Sequence, residues 1–384
     1  MALAFSMQAE ISTTKKEFNM DLAHLYIYIY IFIVALLTMP LCSKYSTLRY
    51  NLSGIRNSEF TPVLVVFLVL FIGLRPQSGV FVDMMNCLSY YNLIKGDFFE
   101  FNWNSENILF DNYLGFLASI SAPVEIFFLS IAAVYFVATY IGIRRLFPNN
   151  VYIAYLVFLG AFSTFSYGTN GIKAGSAAAI FIMAISFYEK KWLCIVFALL
   201  SYGFHHSMQM PIVALLITMF YKNPKWYFYG WFACLLMAMF HVTYFQNLFG
   251  SMTDEQGAGY LLISEDITSG GIRFRPDFIL YSAVPVWIGY KFEMKKKLTS
   301  KTYSTLLHFY LVTNAVWMLC MYASFNNRIA YLSWFVYPLV LIYPYLYVDN
   351  NEKKYVRLSK TVRYHLYFTL FMIIIYYGLL NLGH

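Results

Sequence analysis

Apolar runs broken by short, mostly basic gaps recur from His24 almost to the C-terminus, and this leaves the chain little choice but a bundle of membrane helices. Inside hydrocarbon no water can bond to backbone amides and carbonyls, so a run that enters it must satisfy them internally, as a helix does. Twelve segments are expected, near 24–43, 60–74, 122–142, 151–167, 172–187, 191–204, 207–221, 226–247, 277–290, 303–322, 329–347 and 364–382. The expected fold class is therefore all-α, a polytopic integral membrane protein with about 12 transmembrane helices in a single domain spanning 1–384. Several segments are shorter than the roughly 20 residues needed to cross about 30 Å of hydrocarbon, and these are expected to end below the surface or re-enter. Composition agrees: 60% of residues are hydrophobic and 12% charged, with mean hydropathy +0.57, whereas soluble domains carry about 25% charged residues. The run from His24 lacks a small-residue cleavage site, so it reads as a retained helix after a polar outer segment, 1–23.

Charge sets the expected orientation. Of 27 lysines and arginines, only Lys15, Lys16, Arg75, Lys95, Lys173, Arg273, Arg275 and Arg328 fall on one side of the twelve-span scheme. The rest fall on the other, which makes that side cytoplasmic and puts both termini outside. The same clustering between apolar runs explains the net charge of +8 without nucleic acid. Two long outer loops, 75–121 and 248–276, collect carboxylates: Asp83, Asp97, Glu100, Glu106 and Asp111 in the first, and Asp254, Glu255, Glu265, Asp266 and, at its edge, Asp277 in the second. The first also carries Phe98, Phe99, Phe101 and Trp103, a pattern that suits either sugar rings or a membrane-interface belt. Of five cysteines only Cys87 falls in a candidate exposed loop, and no disulfide framework or metal spacing is visible.

The outer-side cations form the candidate site. Lys173 follows Asn170 and Gly171 at the start of one apolar segment, and His205 and His206 close the next, so a hairpin would return them to one end. A lysine beside free helix N–H groups suits an anion, and a neutral imidazole suits a base. Arg75 ends an apolar run as an anion ligand or an interfacial anchor; Arg328 opens a helix as an anion ligand or the partner of an outer carboxylate. Arg273 and Arg275 alternate about Phe274 and could hold phosphate or neutralise Asp277 and Asp266. Asp83 could act as a base, orient the imidazole or pair with Arg75. His241 and His308 read as structural.

Gly73-Leu74-Arg75 then Gly79, the Asn170-Gly171-Ile172 turn before an alanine-rich helix, Phe204-His205-x-Ser207, and Asn327-Arg328-Ile329 occur in an order that resembles EpsG-like proteins, Wzy-type polymerases of bacterial polysaccharides. The resemblance covers about 24–347. Phe81 stands where the family usually has Asp, with Asp83 two positions later; Lys173 and Ala174 replace the usual Arg-Gln, keeping a charge but losing the bidentate fork. What the resemblance implies is a plasma-membrane glycosyltransferase joining undecaprenyl-pyrophosphate-linked oligosaccharide units, as donor and acceptor, on the outer face. Membrane lipid, a chain-length regulator and a flippase are the implied neighbours; no cofactor is expected, and because five cations could stand in for a divalent metal, metal-independent catalysis is expected. In that reading His205 is the base, aided by Asp83 or His206, and Arg75, Lys173, Arg328, Arg273, Arg275 and Asn170 hold the substrate. A lipid-linked oligosaccharide flippase and a membrane O-acyltransferase are the competing readings.

Overall fold

The computed structural model describes residues 2–42, 60–250, 274–297, 300–323, 326–349 and 353–376, and every regular element among them is helical. The elements are α1 (Ala2–Cys42), α2 (Phe60–Gly73), α3 (Val82–Leu93), α4 (Ile108–Ser119), α5 (Val124–Leu146), α6 (Val151–Leu159), α7 (Phe162–Thr169), α8 (Ile172–Ser186), α9 (Lys191–Phe204) and α10 (Gln209–Phe220). There follow α11 (Pro224–Met239), α12 (Tyr244–Gly250), α13 (Pro276–Gly289), α14 (Lys301–Leu319), α15 (Asn326–Trp334), α16 (Tyr337–Tyr343) and α17 (Lys354–Tyr376). Short 3-10 and π turns join some of them, as at His206–Met208, Tyr290–Lys295 and Pro344–Val348.

Helix length and composition by themselves pick out a few of the twelve expected segments among the described residues. Leu22–Cys42, Val124–Leu146 and the run Asn326–Val348 are long and apolar enough to span a membrane, with a fourth if α6 and α7 count as one bent span. Helices α2, α8 and α9 have 14 or 15 residues each, about 21–23 Å at 1.5 Å per residue. The first outer loop is not simply a loop, since α3 and α4 lie within 75–121. Most of the second, 248–276, lies outside the described residues.

Two breaks have identifiable chemistry. Helices α6 and α7 meet at 74° across Gly160 and Ala161. The carbonyls freed there are taken by side chains: Thr164 donates to Phe158, Tyr30 to Leu159, Thr369 to Gly160 and His365 Nε2 to Val157, at 2.6–3.1 Å. A helix can break at membrane depth only where such partners exist. The second break follows Trp334, four residues before Pro338, where the proline ring clashes with the i−4 carbonyl and offers no N–H.

A buried polar network ties the second half together. Asn314 accepts from Trp231 Nε1 at 2.8 Å and donates to the hydroxyls of Ser282 and Ser333, each at 3.1 Å, while Trp334 Nε1 donates to Ser282 at 2.8 Å. Aromatic rings of Phe278, Tyr281, Trp317 and Trp334 pack around it. In the first half α5 runs beside α2 and α8, and Gly73 and Gly142 permit the approach: a methyl on either would overlap Leu129 or Ile182.

Candidate functional site

Helices α8 and α9 form the expected antiparallel hairpin. Ser201 Oγ donates to Ala177 O at 2.7 Å, and four residues further along each strand of the hairpin this register brings His205 level with Lys173. The turn before α8 is tight because Gly175 has no side chain; a methyl there would overlap the backbone carbonyl of Tyr167. That closeness seats Lys173 in the first turn of α8, directly after the end of α7.

His205 leaves α9 in an extended conformation (φ −155°, ψ 121°) and caps the one-turn helix His206–Met208. Its Nδ1 accepts from the Ser207 N–H at 3.2 Å, and Ser207 Oγ lies 2.7 Å from the same atom. An N–H can only donate, so these contacts assign the lone pair to Nδ1 and, in the neutral ring, the proton to Nε2. The His206 ring stacks on that of His205, with centroids 5.1 Å apart and planes 15° apart. His206 N–H donates to Asn107 Oδ1 at 3.1 Å, and Glu106 Oε2 lies 4.0 Å from His206 Nδ1.

Helix α4 links this pair to the lysine. Asn107, Asp111 and Leu114 recur at helical spacing, so the turn that holds His206 leads into a face bearing Asp111. Asp111 Oδ1 lies 3.1 Å from Lys173 Nζ, and its Oδ2 accepts from Ser105 Oγ at 2.6 Å. The carboxylate thus stands beside the positive end of α8, the position a helix N-terminus offers an anion. The ion pair is about one-third exposed, so it contributes at most about 1 kcal/mol.

Beside it opens a cleft of about 170 Å³. Its walls are Asp83, Asn86, Cys87 and Tyr90 from α3, Asp111 and Leu114 from α4, and Lys173 from α8. Asp83, Asn86, Cys87 and Tyr90 share one face of α3 by their i, i+3, i+4, i+7 spacing. Cys87, expected in an exposed loop, is therefore buried on a helix. With two carboxylates, one ammonium, an amide and a phenol, the cleft offers hydrogen bonds in several directions.

Arg75 sits behind this wall at 4% exposure. Its Nη atoms donate to Ile72 O at 2.9 Å and Thr169 O at 3.0 Å, carbonyls at the C-terminal ends of α2 and α7, where helix dipoles favour a cation. Phe81 and Phe128 flank the guanidinium at 5.2 and 5.6 Å, and its Nε is buried without a hydrogen-bond partner among the described residues. Burial pushes its pKa down from 12.5 to about 10, against an upward pull from Cys87, Tyr26 and Asp83, so it stays charged at neutral pH. Asn170 Nδ2 donates to Val80 O at 3.4 Å, tying the turn before α8 to the segment before α3.

The other cations lie apart from the cleft walls. Arg275 makes a bidentate pair with Asp277, at 3.0 and 2.7 Å, and lies over Phe278 at 3.7 Å. Arg328 is exposed in the first turn of α15. Arg273 lies outside the described residues. His308 is structural, as expected, 3.0 Å from Glu293 and stacked on Tyr227 at 4.1 Å; His241 packs on Tyr322. Among the described residues no three His, Cys, Asp or Glu side chains converge as metal ligands would. Sequence reasoning passed over Asp111, Asn86, Tyr90, Asn107 and Ser207 as site members; helical spacing within a presumed loop was the signal for the first four.

The family model described as EpsG family matches residues 60–382, most of the chain. The chain belongs to the EpsG family. No curated protein and no solved structure matches it. Every candidate site residue of this EpsG-family chain lies inside the matched span, while α1 precedes it. Membership in the EpsG family, together with the apolar helices, marks a membrane protein of the exopolysaccharide-polymerase kind.

Proposed function

We propose that this EpsG-family protein is a Wzy-type glycosyltransferase of the bacterial plasma membrane. It joins undecaprenyl-pyrophosphate-linked oligosaccharide units on the outer face, with both termini on that side. The observation that carries the reading is the cleft between α3, α4 and α8, walled by Asp83, Asp111 and Lys173; His205 shares Lys173's end of the hairpin but is not one of the wall residues. Glycosyl transfer from a pyrophosphate carrier needs a base for the acceptor hydroxyl and cations for the leaving group.

His205 is the proposed base, and its basic nitrogen is Nδ1. As the acceptor hydroxyl gives its proton to Ser207 Oγ, the Ser207 proton passes to Nδ1 and leaves an imidazolium with both nitrogens protonated. Asp83 is the second candidate, favoured by its place on the cleft wall. Lys173 and Arg328 neutralise the departing pyrophosphate, with Arg273 and Arg275 on the second outer segment assisting. Asn170 steadies the turn that presents Lys173. Arg75 serves from behind as the clamp between helix ends. With cationic side chains in that role, elongation is expected to proceed in EDTA.

A flippase would keep a central site between broken helices. At the α6/α7 break the freed carbonyls are instead taken up by the chain's own side chains. The test is elongation of labelled lipid-linked repeat units by purified protein. A ladder lost in His205→Ala and kept in Asp83→Asn identifies the histidine as base, and the reverse identifies Asp83. Full elongation by both variants refutes both assignments.

A further inference from the structure

The segment joining α3 to α4 carries aromatic rings that the protein leaves bare. Phe98 is 96% and Trp103 78% exposed, and Phe101 lies against Trp103 with centroids 4.5 Å apart and planes tilted by 54°. These rings are exposed but not loosely held. Asn102 N–H donates to Asn112 Oδ1 at 2.7 Å, and Asn112 Nδ2 donates to Asn102 O at 2.9 Å and Ile108 O at 2.7 Å. Asn104 N–H donates to Asn102 Oδ1 at 2.9 Å, and Phe99 anchors the other side edge-on against Phe116 at 5.8 Å. Asn112 is buried and adjoins Asp111, so the turn that carries the rings is built on the same part of α4 as the cleft.

We propose that Phe101 and Trp103 form a shelf that stacks a pyranose ring of the lipid-linked glycan, a sugar subsite next to the cleft. The proposal rests on the polymerase reading and extends it. A cleft of about 170 Å³ is smaller than the roughly 300–1,000 Å³ of sites that enclose drug-sized ligands, so an oligosaccharide entering it must lie partly outside. A sugar offers C–H faces to aromatic rings and hydroxyls to Asn102, Asn104 and Glu100 alongside. Membrane anchoring fits the surroundings less well: Asp97, Glu100 and Glu106 are all exposed, would repel anionic headgroups, and are costly to draw toward hydrocarbon. Because the turn is already fixed, binding loses little ordering entropy.

Substitutions at Trp103 separate a flat face from mere hydrophobicity. The full-length protein in liposomes is titrated with the oligosaccharide released from the host's own lipid carrier, and elongation kinetics are measured on the lipid-linked form. Trp103→Ala and Trp103→Leu are each expected to weaken glycan binding by about tenfold and to raise KM by more than they lower kcat. Trp103→Tyr, which keeps a planar ring, restores most of both. Wild-type binding in the Ala variant, or rescue by Leu equal to that by Tyr, overturns the shelf. So does strong quenching of Trp103 fluorescence by brominated-chain phosphatidylcholine, taken as the difference between wild type and Trp103→Phe. Glycan binding that depends on Trp103 in a protein that never elongates would leave the shelf standing and sink the polymerase reading alone.

Discussion

Arg75 shows how much a single charge can be asked to do. From its place at the end of an apolar run it reads as an anion ligand ahead of an interfacial anchor; buried against two helix carbonyls, it bridges the ends of α2 and α7. Lysine keeps the charge but cannot fork to both carbonyls. Arg75→Lys is expected to cost about 1–3 kcal/mol, read as a lower midpoint of thermal unfolding in detergent. An unchanged midpoint would contradict the clamp. Ser207 makes a separate test, since Ser207→Ala keeps the N–H that caps through His205 but removes the hydroxyl. Elongation should fall by roughly a hundredfold or more with protein level unchanged, if protons pass through that hydroxyl. Elongation within a few-fold of wild type would remove Ser207 from the path.

The helices show what their sequence spacing revealed and what it concealed. Lys173 and His205 could be assigned to one end of a hairpin because two apolar runs separated by Lys190 and Lys191 have few ways to pack. Helices α3 and α4 were hidden because their polar faces line a cleft and dilute the apolar period, as Asp83, Asn86 and Tyr90 do on α3. Asp111 was visible as an acidic residue, but nothing local in sequence shows that it meets Lys173, 62 positions on. The bend between α6 and α7 was equally illegible, since its partners Tyr30, His365 and Thr369 come from distant helices. Tyr30→Phe and Thr369→Val should each destabilise by about 1 kcal/mol, because each leaves a buried carbonyl with one partner fewer. Additive losses in the double variant are expected if the two act independently; no loss in either would mean water or another group serves those carbonyls.

Across the whole molecule, the cleft and the groups around it come from the first half of the chain: the end of α2, α3, α4, the start of α8 and the end of α9. Arg75, Asn170, Lys173 and His206 reach this region through contacts with elements distant in sequence. The second half packs around the Asn314 network and contributes Arg275 and Arg328 apart from the cleft walls. Lys173 and Asp111 already neutralise each other, so a pyrophosphate must compete for that lysine. Asp111→Asn is therefore expected to tighten binding of the carrier pyrophosphate by a few-fold, and weaker binding would contradict a phosphate role for Lys173. The most direct test of the account as a whole uses sealed proteoliposomes with lipid-linked repeat units supplied on one leaflet. The leaflet facing the site is located by labelling Trp103→Cys with an impermeant thiol reagent. The account predicts a ladder of longer glycans only when the units share the leaflet of residue 103; a ladder formed only from the opposite leaflet, or transfer of units across the bilayer without elongation, would contradict it.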